Sequence, residues 1–122
     1  MLINKETGKV LANDVCMART FWSRFRGLMF TSVFRPGTAL HIQPCRSIHT
    51  FFMRYPIDVL YLDSNLKVIA VEENVKPGKF GRIHRKASSV VELPIGVVSE
   101  TETEIGQEVQ FQIHPNLIEE EK

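Results

Sequence analysis

From Thr38 onward the apolar runs of this chain are short, and each ends at a proline, a glycine or a turn-forming cluster, which constrains the fold toward short strands. Leu40 and Ile42 alternate with Ala39, His41 and Gln43 until Pro44 stops the run, since proline has no N–H to give to a sheet ladder. Ser47 to Met53 and Ile57 to Leu62 are both β-rich and are parted by Pro56. Asp63-Ser64-Asn65 reads as a turn, Leu66 to Glu72 as the returning strand, and Val75 to Lys86, with Pro77, Gly78 and Gly81, as a loop. Ser89 to Leu93 is a further strand, bounded by Pro94 and Gly96. Val109, Phe111 and Ile113 alternate with Glu108, Gln110 and Gln112, the pattern of a half-exposed closing strand.

Upstream, Glu6-Thr7-Gly8 lies between Met1–Asn4 and Lys9–Ala12, so the chain opens with a hairpin. Thr20 is placed to cap a helix whose apolar face carries Phe21, Trp22, Phe25, Leu28 and Met29, with Arg24 and Arg26 on other faces. Gly27 is costly inside a helix, so it marks either close packing or an early end. The expected fold is mainly β (α+β): a compact, barrel-like antiparallel sheet of about seven or eight short strands with one main packed helix. Residues 1–115 form a single globular domain and residues 116–122 an acidic tail ending in Glu119-Glu120-Glu121.

At 122 residues the chain has room for one sizeable core, and 43% apolar with 24% charged residues is the balance of a folded domain rather than a disordered one. A net charge of +1 argues against a surface built as a whole for nucleic acid. Charge is nevertheless uneven: Lys76, Lys79, Arg82, Arg85 and Lys86 fall together around Phe80, a ring on which a base can stack, but solvated basic loops are common and nucleic acid is not an expected partner. Cys16 and Cys45 allow one disulfide at most, too few for a disulfide scaffold. No signal-like leader and no run of membrane-spanning length occurs, so a cytoplasmic protein with reduced thiols, away from membranes, is expected.

The chemistry-bearing residues concentrate in Cys45 to Asp58. His41, Cys45 and His49 are spaced by four; Pro44 excludes a helix, but a hairpin with its tip near Cys45 would let the two imidazoles face each other as ligands for zinc or copper. No fourth ligand is evident, and a polar strip is the plainer reading, so no cofactor is expected. Cys45 and His49 also have the chemistry of a nucleophile and base, with Asp58 or Glu92 orienting the imidazole and Arg46 and Arg54 favouring the thiolate, although a buried cysteine is usually inert. Asp58 and Glu92 sit inside apolar strands, where a carboxylate must reach water, find a cation or change its pKa. Arg19, Arg26 and Arg54 are the available cations, and the plain expectation is an ion pair fastening helix to sheet.

Several motifs, in order and spacing, resemble the domain-of-unknown-function family 192, also called uncharacterised protein family 0127. They are Arg26-Gly27-Leu28-Met29, Ser47 through Leu60, Val91-Glu92-Leu93-Pro94-Ile95-Gly96, and Gly106 before the last strand. The resemblance spans roughly residues 8 to 112, with Pro-Ile-Gly standing where Pro-Ala-Gly is more usual. It implies a compact barrel-like β domain with a packed helix, and no established reaction or cofactor. It maps the family's motif onto Arg26, Gly27, Met29, Cys45, Ser47 and His49, and onward onto Thr50, Met53, Arg54, Asp58, Glu92 and Gly96. Many relatives carry an export signal and this chain is read as having none, so the resemblance's envelope location is not carried over.

The functional expectation is a small binding domain with an arginine-lined pocket for an anionic or polar ligand, contacted by Arg26, His49, Thr50, Arg54 and Glu92. The competing classes are an enzyme using Cys45 and His49, with or without metal, and a structural or protein-interaction domain. The pocket reading requires Arg54, His49 and Glu92 to line a common cavity.

Overall fold

The computed structural model describes residues 1–29 and 31–113, and the acidic segment 116–122 lies outside them. The main frame is a five-stranded sheet built from β3 (Asp14–Ala18), β4 (Thr38–Ile42), β5 (Ile57–Leu62), β6 (Val68–Val75) and β7 (Ser89–Pro94), in the order β3-β4-β7-β5-β6. A second sheet holds β1 (Leu2–Asn4), β2 (Val10–Ala12) and β8 (Val109–Phe111) in the order β2-β1-β8. Two short helices complete the fold, α1 (Phe21–Arg26) and α2 (Val97–Glu100). The mainly β class and the opening hairpin follow the sequence expectation. A single barrel-like antiparallel sheet does not: there are two sheets among the described residues, and β3 joins β4 in parallel, leaving β3 and β6 as edges.

β5 and β7 are buried on both faces, and the two-residue period of a strand sorts their side chains. Leu60, Leu62, Val91 and Leu93 face the small sheet, where they meet Leu2, Leu11, Val98 and Val109. Ile57, Val59, Tyr61 and Val90 face the opposite layer, with Ile48 and Met53. Glu92 therefore shares the face of Val90, and Asp58 the face of Leu60. The ladder sets Val59 opposite Glu92 and Asp58 opposite Leu93.

Asp58, 1% exposed, is satisfied by backbone and not by an arginine. Its Oδ1 accepts from Asn74 N at 3.0 Å, and its Oδ2 accepts from Gly96 N at 3.0 Å and Val98 N at 3.2 Å. One carboxylate thus ties β5 to β6 and to the start of α2. Neither Asp58 nor Glu92 forms an ion pair with Arg19, Arg26 or Arg54 among the described residues, which corrects the expected fastening of helix to sheet. Three backbone N–H groups already satisfy Asp58, and Glu92 keeps its proton instead of pairing.

α1 begins as expected: the Thr20 side chain accepts from Ser23 N, and the Ser23 side chain accepts from Thr20 N. It ends after six residues at Gly27, whose φ of +46° and ψ of −123° suit glycine alone. The early end splits the anticipated apolar face. Met29 is buried and Leu28 packs into the core, whereas Trp22 is 74% and Phe25 53% exposed.

Ser47 to Met53 is not a regular strand either; its backbone pairs irregularly with the basic loop. His84 N donates to Arg46 O, Gly81 N to Ile48 O and Thr50 N to Lys79 O, each at 2.8 Å, and His49 bridges Phe80.

Replacing Asp58 with Ala is expected to strand three buried or half-buried N–H groups and to lower unfolding free energy by about 3–5 kcal/mol. Urea denaturation should show a lower midpoint with an unchanged m-value.

Candidate functional site

The layer between α1 and the large sheet encloses a cavity of about 40 Å³. This is room for a few waters or one small polar group. Its floor is the sheet, through Ile42 and Glu92; its walls are the loop residues Cys45, Ser47 and His49 and the helix residues Arg24, Phe25 and Arg26. Gly27 lets the chain leave α1 over this floor through its positive φ of +46°, while a Cβ there would make only ordinary contact with Glu92 Oε1 at 3.9 Å.

Glu92 is 2% exposed, and its Oε2 has no hydrogen-bond partner among the described residues. Burial pushes its pKa up to about 8, so at neutral pH the group is mainly a neutral acid able to donate through O–H. His49 Nε2 lies 3.0 Å from Phe25 O, and a carbonyl only accepts, so neutral His49 carries its proton on Nε2 and keeps Nδ1 as a bare acceptor. Nδ1 is buried and also without a partner. Arg24 is positioned by a 3.0 Å bond from Nη1 to Pro44 O. Arg24, Arg26, His49 and the neutral acid of Glu92 therefore contribute to the lining of one small space.

Cys45 shares this cavity but is not poised for attack. Its Sγ donates to Ser47 O at 2.8 Å, and burial pushes the thiol pKa up, with Glu92 adding to the rise while the Ser47 bond and Arg24 act against it. A thiolate nucleophile requires the reverse.

The anticipated set is brought together only in part. Arg26, His49 and Glu92 line the cavity and Arg54 does not, so the condition set for the expected pocket is not met, and any site here rests on Arg24 and Arg26 in place of Arg54. Thr50, fully buried, is a fastener: its Oγ1 donates to Lys76 O at 2.7 Å and accepts from Lys79 N at 2.8 Å. The hairpin that would have set His41 against His49 does not form, because β4 pairs with β3 and β7. His41 faces the small sheet, its ring stacked 4.5 Å from Phe111, while His49 lies on the α1 side. Its pKa is lowered to about 4 by burial and by the Arg19 charge. No three His, Cys, Asp or Glu side chains gather to hold a metal among the described residues. Arg24 and Ser47 were not anticipated as lining residues; the only sequence signal for Arg24 was its separation of two from Arg26, which means a shared site only once the helix stops at Gly27.

The DUF192 family model, described as "Uncharacterized ACR, COG1430", matches residues 2–111. A UPF0127 protein of Thermococcus sibiricus is 38% identical over 119 residues, covering 93% of this chain and 75% of that protein. The UPF0127 protein PF1050 of Pyrococcus furiosus is 33% identical over 113 residues, covering 90% of this chain and 97% of that protein. In three dimensions the chain is similar to a crystal structure of a protein of unknown function from Novosphingobium aromaticivorans. The TM-score is 0.80 at 16% identity, covering 90% of this chain and 82% of that one, a likeness of fold. With nearly the whole chain matched, this protein belongs to the uncharacterised DUF192 (UPF0127) family.

Proposed function

We propose that this protein is a small binding domain whose cavity beneath α1 takes an anionic or polar group of a larger ligand. One observation carries the reading: Glu92 is a buried carboxyl group with an unpartnered oxygen, facing a space edged by Arg24, Arg26 and His49. An unpaired buried acid destabilises a fold, so a ligand that bonds to it offsets a standing penalty. A carboxylate or phosphate group would accept from the Glu92 O–H and from a guanidinium fork at once. Arg26, His49 and Glu92 are the proposed contacts, with Arg24 added to them. No described helix is long and apolar enough to cross a membrane. Two free cysteines, Cys16 and Cys45, support a reducing, cytoplasmic setting.

An enzyme using Cys45 and His49 would need a thiol with a depressed pKa, and the direction at Cys45 is upward. The two readings part in a titration of amide NMR shifts with acetate and inorganic phosphate. Binding should perturb the Phe25, Cys45 and Glu92 amides, survive Cys45→Ala, and weaken by tenfold or more in Arg26→Ala. Equal responses in wild type and Arg26→Ala would sink the binding reading.

The Glu92 proton also sets a pH signature. Its folded pKa of about 8 is raised above the ordinary value of 4.5, so stability from this group is fully present below 4.5 and lost as pH rises through 8. His41 acts oppositely: with a folded pKa of about 4 against an ordinary 6.5, it removes stability as pH falls from 6.5 toward 4. The two trends offset each other between roughly pH 4.5 and 6.5, and stability declines from there to pH 8. In Glu92→Gln the decline above pH 6.5 should vanish, as read by thermal melts across that range.

A further inference from the structure

The net charge of +1 conceals a strong separation of sign. Between Asp14 and Asp58 the sequence holds no Asp or Glu, but it holds Arg19, Arg24, Arg26, Arg35, Arg46 and Arg54. Between Glu73 and Glu92 there is again no acid, and five cations, Lys76, Lys79, Arg82, Arg85 and Lys86. Eleven of the fifteen Lys and Arg residues thus lie in two acid-free segments. The fold lays these segments against each other through the bonds that join Arg46, Ile48 and Thr50 to His84, Gly81 and Lys79. Beside the small sheet Glu102 pairs with Lys9 and Glu108 with Lys5, while Glu72 and Glu73 reach the second segment.

A row of rings crosses the seam between the two segments. Trp22 meets Phe25 at 6.5 Å, Phe25 meets His49 at 5.8 Å, His49 stacks on Phe51 at 5.9 Å, and Phe51 meets Phe80 at 4.5 Å. These are not core rings. Phe80 is 82% exposed, and Trp22 and Phe25 are more than half exposed. Arg24 and Arg26 flank Phe25 at the cavity, and Lys76 and Lys79 line one cleft with Phe80. Glu72 and Glu73 line the same cleft, with Glu72 accepting from Tyr61 Oη at 3.0 Å and lying 3.5 Å from His84 Nε2.

We propose that this face binds single-stranded nucleic acid, with phosphates on the arginines and lysines and unpaired bases stacked on the exposed rings. Arginine dominates the first segment, and its planar fork both pairs with phosphate and stacks on a base. Rings braced against one another, two pairs edge to face, one tilted and one stacked, form a fixed shelf, which suits stacking better than insertion into lipid. A duplex offers phosphates but no free base faces, so the rings favour a single strand. The face shares Arg24, Phe25, Arg26 and His49 with the cavity, but Phe80, Lys76 and Lys79 lie outside the cavity's lining, so strand binding is tested at those residues.

The test is fluorescence anisotropy of the full chain with a labelled oligo-dT strand at several salt concentrations, beside a DNA duplex of the same length, heparin and phosphatidylserine vesicles. The strand should bind more tightly than the duplex, with log K falling linearly against log salt. Phe80→Ala should lower strand affinity by roughly 5- to 150-fold. Lys79→Gln should reduce the salt slope by about 0.7 if it removes one phosphate contact. Lys67→Gln, outside both segments, should change neither. Circular dichroism and melting confirm folding of Phe80→Ala, whose ring is mostly exposed. No strand binding at low salt overturns the proposal, as does tighter binding to vesicles, heparin or duplex, or an affinity unmoved by Phe80→Ala.

Discussion

The antiparallel ladder between β5 and β7 sets Val59 opposite Glu92 and Asp58 opposite Leu93, with both faces of both strands covered. In such a pair no side chain reaches solvent by pointing outward, so any polar residue must be answered from within the protein. The register sends Asp58 toward the small sheet and Glu92 toward α1. Everything polar in the interior follows from that division.

The two carboxyl groups are accommodated by different physics. Asp58 lies where β6 and the turn into α2 present backbone N–H groups, and three of these converge on it. A carboxylate with such donors is both satisfied and structural, holding together segments that are distant in sequence. Glu92 Oε2 meets no donor among the described residues, and the buried group keeps its proton instead. The first arrangement fixes the fold; the second leaves hydrogen-bonding capacity in a small space beside two arginines.

Thr50 organises the outer layer much as Asp58 organises the inner one. By bonding Lys76 O and Lys79 N it draws the basic loop onto the segment after Cys45. That packing brings Phe80 to Phe51 and merges two stretches of positive charge that the sequence keeps apart. Repulsion among the cations is tolerable because their side chains remain in water, where screening acts within about 10 Å.

Local chemistry alone determined the hairpin at Glu6-Thr7-Gly8, the Thr20 cap, the strands at Thr38–Ile42, Ile57–Leu62 and Ser89–Pro94, and the family motifs. Each depends on neighbours within a few residues: turn formers, capping hydroxyls, alternation and proline stops. The sequence also marked Glu92, His49 and Arg26 as notable, on residue type and setting. It could not show that His41 and His49 lie on opposite sides of the large sheet, that Arg54 stays outside the cavity, or that Asp58 needs no arginine. Nor could it show that Trp22 and Phe25 remain exposed once α1 stops at Gly27. These outcomes turn on strand order and register, where a shift of one residue moves every side chain to the other face. Periodicity tells which residues share a face; only the tertiary pairing of β4, β5 and β7 decided what that face meets.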